Sequence, residues 1–73
     1  MKEKIIKIWQ DVLCIGSLPA NSSFFDIGGD SISAILLVSR IQQEFNIDLP
    51  LHFLFENPTI DSMYLFIHNI KGQ

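Results

Sequence analysis

Apolar residues recur at helical spacing along this chain, and this pattern limits the possible fold more than any other feature. The N-terminal segment, residues 1–13, carries them every three or four positions, at Ile5, Ile8, Trp9 and Val12. Such spacing places them on one face of an α-helix. A second segment with the same period runs from Ser31 to about Phe45. We therefore expect an all-α fold in which each helix buries one face.

The sequence after the second helix predicts two more helices, the first of them short. Residues 46–50 end the second helix, because the residue before Pro50 resists helical geometry. Residues 51–55 provide a helical turn or two, which Pro58 breaks. Thr59 is a typical N-cap for a last helix that ends at about Ile70. The fold predicted is a small four-helix bundle of three main helices plus one short helix.

Apolar residues of the last helix divide into two sets. The set expected to face the core is Met63, Ile67, Ile60 and Ile70. The set expected to face outward is Leu65 and Phe66.

A long first loop, residues 14–30, joins the first two helices. It contains Gly16, Pro19 and a glycine pair, all typical of irregular backbone. A loop of this length is usually functional or held by its own side chains. We expect its apolar residues to anchor it, namely Phe24, Phe25 and Ile27.

Composition excludes several classes of protein. A chain of 73 residues forms one domain, residues 1–73, which relies on hydrophobic packing because Cys14 has no partner for an internal disulfide. The two histidines, His52 and His68, give no metal-ligand spacing. With five basic residues and no long apolar run, we expect neither a nucleic-acid nor a membrane partner. The expectation is a cytoplasmic, free-standing monomer.

Ser31 follows Gly28-Gly29-Asp30 at the start of the second helix, and two interpretations apply to it. Serine at this place is commonly a helix N-cap. Alternatively, Asp30 caps the helix and the Ser31 hydroxyl stays free in the first turn, where backbone N–H groups favour a phosphate. Gly28 and Gly29 either form a simple turn, the usual role of a glycine pair, or also keep side chains away from the approach to the hydroxyl.

Catalysis by Ser31 is not expected. The only candidate bases are His52 and His68, in a domain too small to enclose a substrate. The chain has neither a Gly-x-Ser-x-Gly elbow nor the Gly-Lys-Ser/Thr of a phosphate-binding loop. The pattern favours a hydroxyl that is modified, and we expect no enzyme.

The second helix has two apolar faces. One is a core stripe spanning about 100°, made of Ala34, Leu37, Val38, Ile41 and Phe45. The other lies nearly opposite and consists of Ile32, Ile35 and Leu36. Isolated apolar residues are common on surfaces, but three together beside Ser31 favour a partner-binding surface.

The run Asp26-Ile27-Gly28-Gly29-Asp30-Ser31 resembles the attachment motif of phosphopantetheine-bearing carrier domains, specifically the peptidyl carrier (thiolation) domains of nonribosomal peptide synthetases. The resemblance covers essentially the whole chain. The further segments that carry it are Ile8-Trp9, Val12-Leu13, Phe24-Phe25-Asp26, Phe45-Asn46-Ile47-Asp48-Leu49-Pro50 and Leu54-Phe55-Glu56-Asn57-Pro58-Thr59-Ile60.

This resemblance implies an acyl carrier protein-like fold and a covalent 4'-phosphopantetheine on Ser31, with Gly28, Gly29 and Asp30 beside it. A phosphopantetheinyl transferase would attach the group, using Mg²⁺ and coenzyme A. An adenylation domain would load an aminoacyl or peptidyl group as a thioester. Condensation, epimerization or tailoring enzymes would then receive it.

The sequence departs from the family pattern in two ways that bear on its partner enzymes and on the group it carries. Many relatives have His where this chain has Asp30, and Gly-Gly-Asp-Ser-Ile resembles carriers that serve epimerization domains or some loading and tailoring carriers. The second helix lacks the dense carboxylates of fatty-acid carriers. An acyl, aryl or polyketide carrier remains an alternative, as does a helical protein-interaction domain without a prosthetic group.

Overall fold

The computed structural model describes residues 2–18 and 22–71, and these form four α-helices without a strand. The helices are α1 (Lys2–Leu13), α2 (Ser31–Phe45), α3 (Leu51–Glu56) and α4 (Ile60–Lys71). The predicted all-α class and the order of one short and three longer helices are confirmed. Met1 and Pro19, assigned above to the first helix and the loop, lie outside the described residues.

The core forms where α1, α2 and α4 meet, with α3 covering one side. Its buried residues are Ile5, Ile8, Trp9, Phe24, Ala34, Leu37, Val38, Ile41, Leu49, Leu54, Met63 and Ile67. Trp9 is fully buried, and its indole N–H donates a hydrogen bond to the Met63 sulfur at 3.4 Å. The predicted stripe of α2 faces this core, with Phe45 half-buried at its end.

Two assignments on α4 are wrong. Ile70 shares the angular position of Met63 and Ile67 but is 49% exposed, because it lies one turn past the last buried residue of the helix. Phe66 is half-buried, since its ring contacts Phe53 of α3 at a centroid distance of 4.6 Å. The exposure expected for Leu65 is confirmed.

Phe24 anchors the loop between α1 and α2. Its ring is fully buried and meets Trp9 edge to face, with centroids 5.2 Å apart. Its backbone N–H donates to the Pro58 carbonyl oxygen at 2.6 Å, and its own carbonyl accepts from the Gly29 N–H at 3.0 Å. Phe25 and Ile27 pack against the same core, so the three predicted anchors are confirmed.

Gly29 lies directly against Phe24. A Cβ placed at Gly29 would overlap two carbons of the Phe24 ring and lie 2.6 Å from its carbonyl oxygen. Glycine is therefore required at this position because no side chain fits between the loop backbone and the ring.

Asp30 caps α2. Its backbone is extended (φ −136°, ψ −173°), and its carboxylate Oδ1 accepts a hydrogen bond from the Ser33 N–H at 2.8 Å. The Ala34 N–H donates to the Asp30 carbonyl oxygen at 2.8 Å, which starts the helical pattern. Hydrogen bonds from the Ser33 backbone N–H, and then from its hydroxyl, hold the pKa of Asp30 below its usual value.

We expect Gly29→Ala to lower the free energy of unfolding by about 1–3 kcal/mol, the usual cost of overpacking. Urea unfolding followed by circular dichroism measures this. Gly16→Ala is the matched control, since a Cβ there has no atom within 4 Å. Equal unfolding midpoints for the two variants would contradict the packing role of Gly29.

We expect the Asp30 cap to make stability depend on pH. Because the folded pKa is lowered, the contribution of the cap is present above about pH 4 and is lost as the pH falls through the folded pKa. Asn keeps an acceptor oxygen but does not titrate, so in Asp30→Asn this part of the pH dependence should disappear. Urea midpoints between pH 7 and pH 3 test this, with the exposed Asp48→Asn as control. Identical pH profiles for wild type and Asp30→Asn would show that the cap carries no proton linkage.

Candidate functional site

Ser31 is the first residue of α2, and its side chain is exposed to solvent. Within residues 2–18 and 22–71 its hydroxyl makes no hydrogen bond. Of the two interpretations of this serine, the structure supports the one in which Asp30 is the cap. The hydroxyl of Ser31 is therefore available for reaction at a helix N-terminus.

The two glycines before Ser31 have different physical roles. Gly28 has a φ of +109°, which side-chain-bearing residues rarely adopt, and a Cβ there would extend into open space. A Cβ at Gly29, in contrast, would point into the Phe24 ring. The chain turns at Gly28 and packs tightly at Gly29, so each glycine of the pair is needed for a different reason.

The charges around Ser31 are acidic and few. Asp26 and Asp30 are both exposed, and the hydrogen bonds from Ser33 lower the pKa of Asp30. After Asp30, the first charged residue of α2 is Arg40, which lies 3.7 Å from a carboxylate oxygen of Asp11 on α1. The surface of α2 next to Ser31 thus carries no net charge of its own.

The second apolar face of α2 is solvent-exposed, as predicted. Ile32 is 72% exposed, and Ile35 and Leu36 are each more than half exposed. They lie opposite the buried stripe, within two turns of the Ser31 hydroxyl. The structure therefore brings the candidate attachment residue and the candidate partner surface to the same end of one helix.

Sequence reasoning missed two exposed apolar residues of α3, Leu51 and Phe55. The available signal was their spacing, because residues four apart share a helix face and Leu54 points to the core. It also missed the contact between Gly29 and Phe24, for which a single sequence gives no signal.

No metal site is evident in the described part of the chain, where no three His, Cys, Asp or Glu side chains cluster. The two histidines lie apart from Ser31 in sequence, and the ring of His68 stacks on Tyr64 at 5.7 Å. Across residues 2–18 and 22–71, none of the helices combines the length and apolar character needed to cross a bilayer.

Comparison with known proteins identifies the family of this chain. A family model described as a phosphopantetheine attachment site matches residues 3–67. The chain is 44% identical, over its full length, to part of gramicidin S synthase 2 of Brevibacillus brevis. It spans only 2% of that synthase.

Solved structures support the same assignment. An active-site mutant of a peptidyl carrier protein matches with a TM-score of 0.91 and 28% identity, over 99% of this chain and 80% of the other. The structure of the phosphopantetheine transferase Sfp with coenzyme A and a peptidyl carrier protein matches with a TM-score of 0.89 and 29% identity, over 93% and 88%. The predicted acyl carrier protein-like fold is confirmed. The chain belongs to the family of phosphopantetheine-bearing carrier domains, as a peptidyl carrier domain of the nonribosomal peptide synthetase type whose cofactor is a covalently attached 4'-phosphopantetheine.

Proposed function

We propose that Ser31 is the attachment residue and that the chain carries aminoacyl or peptidyl groups between the enzymes of a peptide synthetase. The observation that carries this proposal is the exposed Ser31 hydroxyl, which has no hydrogen-bond partner in the described part of the chain, where Asp30 caps the helix instead. A side chain that is not needed for folding can be esterified without a structural cost.

The residues present fit the group. The Ser31 oxygen attacks the pantetheine-linked phosphorus of coenzyme A, a phosphodiester forms, and 3',5'-ADP leaves. A base of the transferase would take the hydroxyl proton, and Mg²⁺ bound to the transferase would balance the phosphate charge. The N-terminus of α2 would then hold the anionic phosphodiester, whose negative charge the helix dipole favours.

Gly28, Gly29 and Asp30 support this step without reacting. Gly28 supplies the turn, Gly29 the close contact with Phe24, and Asp30 the cap. The Asp30 carboxylate accepts a hydrogen bond from the Ser33 N–H. This hydrogen bond partly offsets the repulsion between the carboxylate and a phosphate on Ser31. When attached, the arm supplies a terminal thiol that holds an acyl group as a thioester.

The identity of the relatives supports the partners proposed. Gramicidin S synthase 2 is a synthase named for a peptide product, and the Sfp complex contains a transferase with a carrier. We assign to this chain a phosphopantetheinyl transferase, an adenylation domain, and condensation, epimerization or tailoring enzymes. The chain itself contributes no catalytic group, and it acts in the cytoplasm, where coenzyme A is available.

We expect the purified chain to gain the mass of one phosphopantetheinyl group when incubated with coenzyme A, Mg²⁺ and a broad-range transferase. Intact-mass spectrometry measures the product. Ser31→Ala should gain nothing, whereas Ser33→Ala, a neighbouring hydroxyl in the same helical turn, should be modified. Addition to Ser31→Ala, or none to the wild type, would refute the assignment.

We expect Ile35→Asp to leave the fold intact and to reduce kcat/KM for modification by the transferase about tenfold or more, because a buried charge is costly at an apolar interface. Leu65→Asp is the matched control, since both residues are 55% exposed and Leu65 lies on α4. Equal slowing in both variants would argue against a specific α2 surface. Loss of helical circular dichroism in Ile35→Asp would instead make Ile35 a folding residue.

A further inference from the structure

Three consecutive side chains hold the short helix α3 to three different parts of the bundle. Leu54 is buried in the core, and the ring of Phe53 contacts Phe66 on α4. The ring of Phe55 stacks on Phe25, with centroids 5.3 Å apart and planes within 7° of parallel. Successive helix residues point about 100° apart, so each of the three has its own contact. Of these three contacts, that of Phe55 is with the loop between α1 and α2, which contains the glycine pair.

Phe25 is connected in turn to the backbone next to Ser31. Its ring meets that of Phe24 edge to face at 5.3 Å. Phe24 packs against Gly29 and accepts its N–H hydrogen bond, and the Phe24 N–H reaches Pro58 between α3 and α4. The contacts therefore run without a break from α3 to a residue two positions before Ser31.

The stack is a surface contact and not part of the core. Phe55 is 46% exposed, and Phe25 is half-buried at the edge of the core. Replacing the Phe55 ring should leave Trp9 and the other buried side chains in place. We therefore expect loss of the stack to act on the loop and not to unfold the domain.

We propose that the Phe25–Phe55 stack sets the position of the glycine pair relative to α3, so that Phe55 is a positioning residue for modification of Ser31. The inference rests on the proposed function of Ser31. A hydroxyl held in one orientation reacts faster than one that samples many. When the stack is lost, the Gly29–Phe24 hydrogen bond opens more often and the hydroxyl is less well presented.

Amide hydrogen exchange of Gly29, measured by NMR, tests the coupling directly. Phe55→Leu keeps apolar bulk but removes the ring pair, and Gly29 exchange should rise about two- to tenfold, the range expected for loss of one aromatic pair. Modification of Ser31 should lose a similar factor in kcat/KM. Phe25→Leu should have the same effect, and the double variant should add little, since both remove one interaction.

Two controls separate local from global effects. Leu51→Ala alters an exposed apolar residue of the same helix that is not part of the Phe25–Phe55 stack, and it should leave Gly29 exchange unchanged. The buried Met63, whose amide N–H donates to the carbonyl oxygen of Thr59 just before α4, serves as the reporter of opening outside the loop. A rise at Gly29 matched by an equal rise at Met63 would overturn the inference.

Two further outcomes are decisive. Slower modification of Phe55→Leu with unchanged Gly29 exchange would mean that Phe55 contacts the transferase itself, and would overturn the positioning role. If wild-type Ser31 were not modified at all, the proposed function would fail. Unchanged Gly29 exchange in Phe55→Leu would then reject the coupling as well, whereas a rise at Gly29 alone would uphold it.

Discussion

The burial of Phe24 is the interaction on which the rest of the structure depends. Its ring fills the core beside Trp9, its carbonyl receives the Gly29 N–H, and its own N–H reaches Pro58. One residue of the loop therefore contacts the α1 core, the glycine turn and the segment before α4. Because the entropy of a long loop opposes a fixed conformation, this residue is what gives the start of α2 a defined place.

At the start of α2, the adjacent residues Asp30 and Ser31 have separate roles. Asp30 satisfies a backbone N–H of the first turn, so the helix does not need the hydroxyl beside it. Ser31 can then change chemically while the hydrogen bonds that define the helix stay as they are. The exposed apolar face of Ile32, Ile35 and Leu36 is likewise free to bind a partner, because these side chains are not part of the buried core.

The positions of the helices could be predicted from the sequence because they depend on patterns within each segment. The predicted helix ends agree with the structure to within a residue or two, where the structure describes them, because they rest on the helical period, Pro50, Pro58 and the Thr59 cap. The Thr59 hydroxyl does accept a hydrogen bond from the Ser62 N–H. The roles of Phe66, Ile70 and Gly29 could not be predicted in the same way. Each depends on what a distant segment contributes: Phe53 for Phe66, the end of the core for Ile70, and the Phe24 ring for Gly29.

Trp9 is the only tryptophan of the chain, and its placement gives the domain an internal optical probe. The indole is fully buried, lies against the sulfur of Met63 and touches the ring of Phe24 at its edge. Its fluorescence therefore depends on how the Phe24 ring packs in the core, and solvent does not reach it. A change in this emission would therefore report that the loop has detached from the core.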